Sequence, residues 1–254
     1  MPIPLDAIVK ALDAELRLDA FDDVSHNGLQ VANRGGVSRI CCGVDASLDF
    51  LRAAKAKGAD FCFVHHGISW GDSLARITGL EYRIVSFLIE NDMALYAAHL
   101  PLDAHPTLGN NARLAAAIGL VETAPCFTWH GNVIGVRGDL PEPLGFEALG
   151  GRVRTLTPGG GFHALPFGKP AVRSVGIVSG GASGEVRQAV EAGLDCFITG
   201  EVDLASWNFA KDAGINMIAA GHYATEAFGP RAVAAWLADR FALPVEWIDF
   251  GLPW

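Results

Sequence analysis

The alternation of short apolar runs with helical patterns is the feature that most constrains the fold of this chain, and it occurs twice. Apolar runs of strand length lie at 38–44, 60–64 and 93–98, and again at 172–178, 195–199 and 216–220. Helical patterns lie at 4–18, 45–57, 80–90 and 110–118, and again at 185–191, 207–213 and 231–240. Strands that alternate with helices are typical of an α/β fold with a largely parallel sheet.

The two halves also align with each other in sequence. KGADFCFVHHG aligns with AGLDCFITGEV when Asp60 is placed over Asp195, and AAHLPLD aligns with AGHYATE when His99 is placed over His222. Because any two βα units share such a pattern, coincidence is an alternative explanation. We predict instead two similar α/β lobes related by a pseudo-twofold axis.

The first lobe is predicted to span 1–124 and the second 125–254. The stretch at 125–170, which includes GGRVRTLTPGGGF, is rich in Gly and Pro and predicts a turn-laden linking insertion outside the core. Pro230 lies where the first turns of the last helix should be, so we expect it to delete one hydrogen bond and to kink that helix.

The charge balance and the hydropathy pattern argue against several classes of protein. Lys and Arg number 19 against 28 Asp and Glu, which gives a net charge of −9. Proteins that track nucleic-acid phosphates normally carry the opposite balance, so nucleic acid is not predicted as a partner. No apolar stretch reaches the ~18 residues that a membrane span needs. Charged residues also interrupt the apolar positions of 1–18, where a secretory signal would be continuous.

The cysteines point to a reducing compartment. They number five, which is odd, and no C-x-x-C pair occurs. A disulfide framework would show a different pattern, so we predict buried free thiols and a cytoplasmic location.

Imidazole and carboxylate groups follow the predicted strands at the points where those strands end. His65 and His66 directly follow the run at 60–64, and His99 follows the run at 93–98, with Asp103 four residues further on; His222 follows the run at 216–220, with Glu226 four residues further on. In an open α/β sheet, ligands bind outside the carboxyl ends of the strands. We therefore expect these groups to meet at one edge.

This set of donors predicts a metal centre. Neighbouring side chains on a strand point apart, so the two adjacent histidines converge only if the backbone turns at Gly67. Each of them could then ligate one of two metals, while a carboxylate bridges two cations. Nitrogen and oxygen donors without thiolate suit Zn, Mn, Fe or Co. A single histidine at a strand end has capping or hydrogen bonding as its alternative role.

The remaining histidines, His26, His105, His130 and His163, lie in loop-like surroundings and are predicted to be surface residues. For His105, which precedes Pro106, a position lining the cleft is the alternative.

Four longer segments carry a resemblance to a known family. SHNGLQV begins at Ser25, FVHHGISWG at Phe63, AAHLPLDAHPTLGNNARLA at Ala97 and GHYATEAFGPRAVAAWLA at Gly221. In this order they resemble the NIF-three-like family, which is also known as the type-two GTP cyclohydrolase I homologues. The resemblance covers nearly the whole chain and is to the compact bacterial members, which lack a large central inserted domain.

The resemblance implies a ligand set and an assembly. It implies that His65, His66, Asp103, His222 and Glu226 hold a dinuclear centre with two divalent metal ions per subunit, of a kind that the sequence leaves open among Zn, Fe, Mn and Co. It also implies that the two-lobed subunits form a toroidal homohexamer.

A dinuclear centre of this kind is equipped for hydrolysis. We predict a metal-dependent hydrolase that acts on a small polar or nucleotide-like substrate, and the family label implies opening of the guanine ring of GTP. His99 is the candidate proton shuttle or ligand-orienting residue, and Glu201, which aligns with His66, is a second candidate acid or base. The alternatives are a metal-dependent phosphoesterase and a non-catalytic metal-binding or regulatory protein that forms a ring.

Overall fold

The computed structural model describes residues 1–159 and 161–252, and the chain divides into two compact units. The first unit contains Met1–Leu102 and Gly229–Asp249, and the second contains Asp103–Phe228 and the described residues from Phe250 onward. The first unit therefore ends at Leu102 instead of at 124. Residues 229–249 belong to it because their strand at Val245–Trp247 pairs with the strand at Ile40–Asp45.

The elements up to Asp103 run in the following order along the chain. They are β1 (Ile3–Pro4), α1 (Leu5–Leu16), a 3₁₀ turn (Leu18–Ala20), β2 (Gly28–Val31), β3 (Gly36–Val37), β4 (Ile40–Asp45), α2 (Leu48–Ala56), β5 (Phe61–His66), α3 (Gly79–Glu90), β6 (Ala94–Ala97) and α4 (Leu100–Asp103).

The later elements complete both units. They are α5 (Asn110–Ile118), β7 (Val121–Trp129), β8 (Asn132–Gly145), α6 (Phe146–Leu156), β9 (Phe162–Leu165), β10 (Ala171–Ile177), a 3₁₀ turn (Ser183–Glu185), α7 (Val186–Glu191), β11 (Cys196–Thr199), α8 (Leu204–Ala213), β12 (Asn216–Ala220), α9 (His222–Thr225), α10 (Phe228–Phe241) and β13 (Val245–Trp247).

Each unit is built around one sheet whose centre is parallel. The first sheet has the order β13-β4-β5-β6-β2, and β2 at its edge runs antiparallel to β6. The second has the order β7-β8-β10-β11-β12-β9, and β9 at its edge runs antiparallel to β12. The predicted α/β class is confirmed, and the aligned strands β5 and β11, and β6 and β12, hold equivalent places in their sheets. The pseudo-twofold axis stays a prediction.

The stretch at 125–170 is not a turn-laden insertion. It contains most of β7, all of β8, α6 and β9, and β9 extends the second sheet by pairing with β12. Phe146, Leu149 and Val153 recur on one face of α6 and lie in the core of the second unit. The sequence did not predict this helix because it contains Gly150 and Gly151, and Gly is a poor helix former. Gly160, within the same stretch, lies outside the described residues.

Pro230 does not interrupt the helix in which it lies. Pro230 is the third residue of α10, where the backbone N–H groups have no partner within a helix, and the helix continues to Phe241. The predicted loss of a hydrogen bond was therefore wrong. Four cysteines (Cys41, Cys42, Cys62 and Cys196) are buried in strands, and all five thiols are free. Within the described residues, no helix is both long and apolar enough to cross a membrane.

Candidate metal centre

The first unit brings three imidazoles together at the ends of β5 and β6. β5 is longer than predicted, so His65 and His66 are its last two residues, and their ring centroids lie 4.5 Å apart. His99 lies two residues beyond β6, with its ring 5.2 Å from that of His65. One nitrogen from each of the three rings lies within 4.8 Å of the others.

Hydrogen bonds determine which ring nitrogen of His65 and of His66 is available to bind a metal. Nδ1 of His65 lies 2.8 Å from the carbonyl oxygen of Ala98, and Nδ1 of His66 lies 2.8 Å from Oδ1 of Asp45. A carbonyl and a carboxylate only accept hydrogen bonds, so in both rings Nδ1 carries the proton. Nε2 is then the nitrogen with a lone pair, as in most metal-ligating histidines.

His99 is oriented in the same way by Asp23. Its Nδ1 lies 3.0 Å from Oδ1 of Asp23, whose side chain is only 1% exposed. Burial raises the pKa of Asp23, but the hydrogen bond and charge of His99, with further hydrogen bonds from Asn27 and Ser25, outweigh burial and lower that pKa to about 2. Asp23 is therefore a fixed negative charge at neutral pH, and it holds the proton of His99 on Nδ1.

The second unit brings two buried carboxylates together. Asp103 and Glu226 are 6% and 3% exposed, and an oxygen of one lies within 4.8 Å of an oxygen of the other. Oδ1 of Asp103 accepts hydrogen bonds from Nδ2 of Asn110 at 2.8 Å and from Oγ of Ser179 at 3.1 Å. Two buried carboxylates this close together offer oxygen donors to a cation.

His222 lies between two carboxylates of the same unit. Its Nδ1 is 2.5 Å from Oε1 of Glu201 and its Nε2 is 3.1 Å from Oε2 of Glu226. Burial lowers the pKa of His222, but the hydrogen bonds and charges of Glu226 and Glu201 outweigh it and raise the pKa to about 9. A proton therefore occupies this imidazole at neutral pH, and a bound cation would replace it next to Glu226.

Comparison with known proteins identifies the family. The sequence profile of the Duf34/NIF3 (NGG1p interacting factor 3) family matches residues 3–250. The chain belongs to this family.

Relatives of this Duf34/NIF3 chain match it over nearly their full lengths. A Deinococcus radiodurans protein named GTP cyclohydrolase 1 type 2 homolog is 43% identical over 96% of this chain and 92% of its own length. A Pseudomonas aeruginosa protein with the same name is 38% identical over 98% of each chain. Among solved structures, protein ybgI, described as of unknown function, has a TM-score of 0.92 with 34% identity over 99% of this chain and 100% of its own. The protein TTHA1606 from Thermus thermophilus has a TM-score of 0.88 with 38% identity, over 97% and 98% of the two chains.

Sequence reasoning missed two residues that orient the imidazoles in this Duf34/NIF3 protein. Asp45 is the last residue of β4, so the rule that placed histidines at strand ends could have found it. Asp23 lies in a loop far from His99 in sequence, and no pattern connects the two.

The other histidines lie apart from these clusters or at their margin. His26, His130 and His163 are exposed, as predicted. His105 is half-buried and, with Asp103, lines a cavity of about 270 Å³ in the second unit. The ring of Trp70 lies 5.0 Å from that of His99, edge to face.

His, Asp and Glu side chains of this Duf34/NIF3 chain form groups that could hold a metal ion. The first unit offers the Nε2 atoms of imidazoles whose Nδ1 atoms are hydrogen-bonded, and the second offers two buried carboxylates and a further imidazole. Imidazole nitrogens and carboxylate oxygens are both common ligands of divalent metal ions.

Proposed function

We propose that this protein is a metal-dependent hydrolase with a dinuclear centre ligated by His65, His66, Asp103, His222 and Glu226. The proposal rests mainly on the shared orientation of three imidazoles. In each ring Nδ1 donates a hydrogen bond to an oxygen atom, as seen for His65, His66 and His222. Histidines that serve only as hydrogen-bonding groups have no reason to share this arrangement, whereas metal ligands usually show it.

The chain supplies hydrolytic machinery to such a centre. When bound, a pair of cations polarises a substrate oxygen and lowers the pKa of a bound water towards neutrality. Asp103 and Glu226 offset the charge of the cations, and Glu201 and Asp45 hold the imidazole ligands in orientation. His99, whose Nδ1 proton is held by Asp23, can accept a proton at Nε2 and is the candidate general base.

Metal analysis of the purified protein tests the ligand set. We expect His65→Ala and Glu226→Ala to lose bound metal while circular dichroism shows an intact fold, and the exposed His163→Ala to keep the wild-type metal content. Unchanged metal content in both ligand variants would overturn the assignment.

Activity assays test the reaction. Relatives carry the name GTP cyclohydrolase 1 type 2 homolog, so GTP is the first substrate to try, with release of formate as the readout. Protein loaded with Zn, Mn or Fe should release formate, and His99→Ala should slow it at unchanged metal content. Bound metal without turnover of GTP would discard ring opening. Screens of phosphoesters and of other small polar substrates would then decide between another hydrolase and the non-catalytic, ring-forming alternative.

We also propose a cytoplasmic homohexamer. Helix α3 supports self-association because Tyr82 and Ile89 are each more than half exposed on it. The free cysteines agree with a reducing compartment. Native mass spectrometry should find six times the 26.8 kDa chain mass; a monomer at micromolar concentration would contradict the assembly.

A further inference from the structure

A cavity of about 350 Å³ lies in the first unit beside His66. Its lining includes His66 and the Asp45 carboxylate that orients this ring, so a molecule in the cavity would lie next to a proposed metal ligand. The volume is within the range of pockets that bind small ligands.

The walls of this cavity are apolar and supported by the core. Ile68 and Ile84 line it and also pack against the buried core cluster of the first unit, which fixes their positions. Leu74 and Leu80 line it from the loop before α3 and from the first turn of α3. The two isoleucines held by the core and the two leucines together form an apolar surface, which suits the face of a flat ring.

The polar groups of the cavity favour hydrogen-bond donors over anions. Asp45 and Glu81 contribute carboxylates, and no residue of its described lining is Lys or Arg. Ser47 caps the N-terminus of α2 there, and a helix N-terminus carries about half a positive charge. Two full negative charges outweigh that half charge, so a phosphate group would be repelled.

We propose that this cavity holds the ring of the substrate: a neutral, flat heterocycle that presents adjacent N–H donors, as guanine does at N1 and N2. An ionised carboxylate accepts hydrogen bonds and donates none, so Glu81 and Asp45 select a ring edge made of donors. Adenine presents an acceptor at N1 and fits less well. The inference rests on the proposed function, since it places the ring beside His66 and the phosphates elsewhere.

Calorimetric titration of the full chain, with metal removed by chelation, tests the cavity independently of metal chemistry. Guanosine should bind saturably, and adenosine at least about tenfold more weakly. Glu81→Gln should weaken guanosine binding about tenfold or more, because it replaces a charged acceptor by an amide. Glu90→Gln, an exposed substitution of the same kind on the same helix, should leave it unchanged. Inorganic tripolyphosphate should not displace guanosine.

Any one of three results would overturn the assignment of the cavity. Guanosine could show no saturable binding, the Glu81→Gln and wild-type proteins could bind it equally well, or tripolyphosphate could displace it. Because the titrations need no metal, they can fail while metal binding and hydrolysis hold, and they can succeed while metal binding fails.

Discussion

His222 donates a hydrogen bond from Nδ1 to Glu201, and this contact leaves Nε2 facing Glu226. In the proposed metal centre Glu201 would act on a cation through His222, as a positioning residue, and the sequence-based assignment of an acid or base role to it stays a prediction. The same arrangement recurs in the first unit, where Asp45 holds Nδ1 of His66. The side chain of Asp45 is 44% exposed and that of Glu201 is 43% exposed, so either carboxylate can be removed without opening the core.

Replacing Glu201 by Ala should weaken metal binding about 10- to 100-fold, as loss of a carboxylate that orients a histidine ligand usually does. Competition with a chromophoric zinc chelator measures the affinity. Glu191→Ala, an exposed change in the same unit, should match the wild type. Equal affinities for all three proteins would show that His222 needs no orienting partner.

Asp23 should make the stability of the metal-free protein depend on acid pH. Its pKa is about 2 in the folded chain and 3.8 ordinarily, so its stabilisation is complete only above about pH 5 and is lost as the pH falls towards 2. With allowance for screening by solvent, Asp23→Asn should cost between about 1 and 2 kcal/mol at pH 6.

Urea unfolding of the two proteins between pH 6 and pH 2 measures this dependence. The difference in unfolding free energy should shrink across that range, while the exposed Asp19→Asn should show little difference at any pH. A difference that stays constant down to pH 2 would mean that the charge of Asp23 contributes nothing.

At the scale of elements, three glycines let the ends of β10, β11 and β12 approach closely. Gly200 donates a backbone hydrogen bond to Gly180 and accepts one from Gly221, both at 2.9 Å. A Cβ atom on Gly200 would lie 2.7 Å from the carbonyl oxygen of Gly180 and 2.7 Å from Cα of His222. Because the obstacles are backbone atoms, a side chain there would displace the start of α9, which carries His222.

Gly200→Ala should therefore destabilise the protein by about 1–3 kcal/mol and also weaken metal binding. Gly184→Ala provides the matched control, since nothing lies within 4 Å of its added Cβ. Thermal unfolding and zinc competition on the two variants would measure both effects. If Gly200→Ala binds zinc with wild-type affinity, the close packing of these strand ends is not needed to position the metal ligands.

The same elements show how far the sequence predicts this molecule. Apolar runs located the central strands, and the rule that ligands gather at strand ends selected His65, His99 and His222, because both signals are local. The helix around Gly150 was hidden, since its propensity is poor and only packing against the second sheet stabilises it. The role of Asp23 could not be predicted from the sequence, because a loop residue meets a distant partner such as His99 only through the tertiary fold.

For the whole molecule, a cation that binds only the folded chain must raise its thermal stability. At a free metal concentration 100 times Kd the gain is about 2.7 kcal/mol. In a chain of this size each kcal/mol raises Tm by roughly 2–4 °C, so Tm should rise by about 5–10 °C. The rise should be reversed by chelation and should be smaller with Mg²⁺, which prefers oxygen ligands and binds imidazole poorly.

The matched variants show whether this rise comes from the proposed ligands. His66→Ala should lose most of it because a ligand is removed, whereas the exposed His163→Ala should keep it. Scanning calorimetry of the three proteins with and without Zn²⁺ measures the shifts. An equal rise in His66→Ala and in the wild type would place the stabilising ion away from the imidazoles of β5, and the dinuclear proposal would then fail.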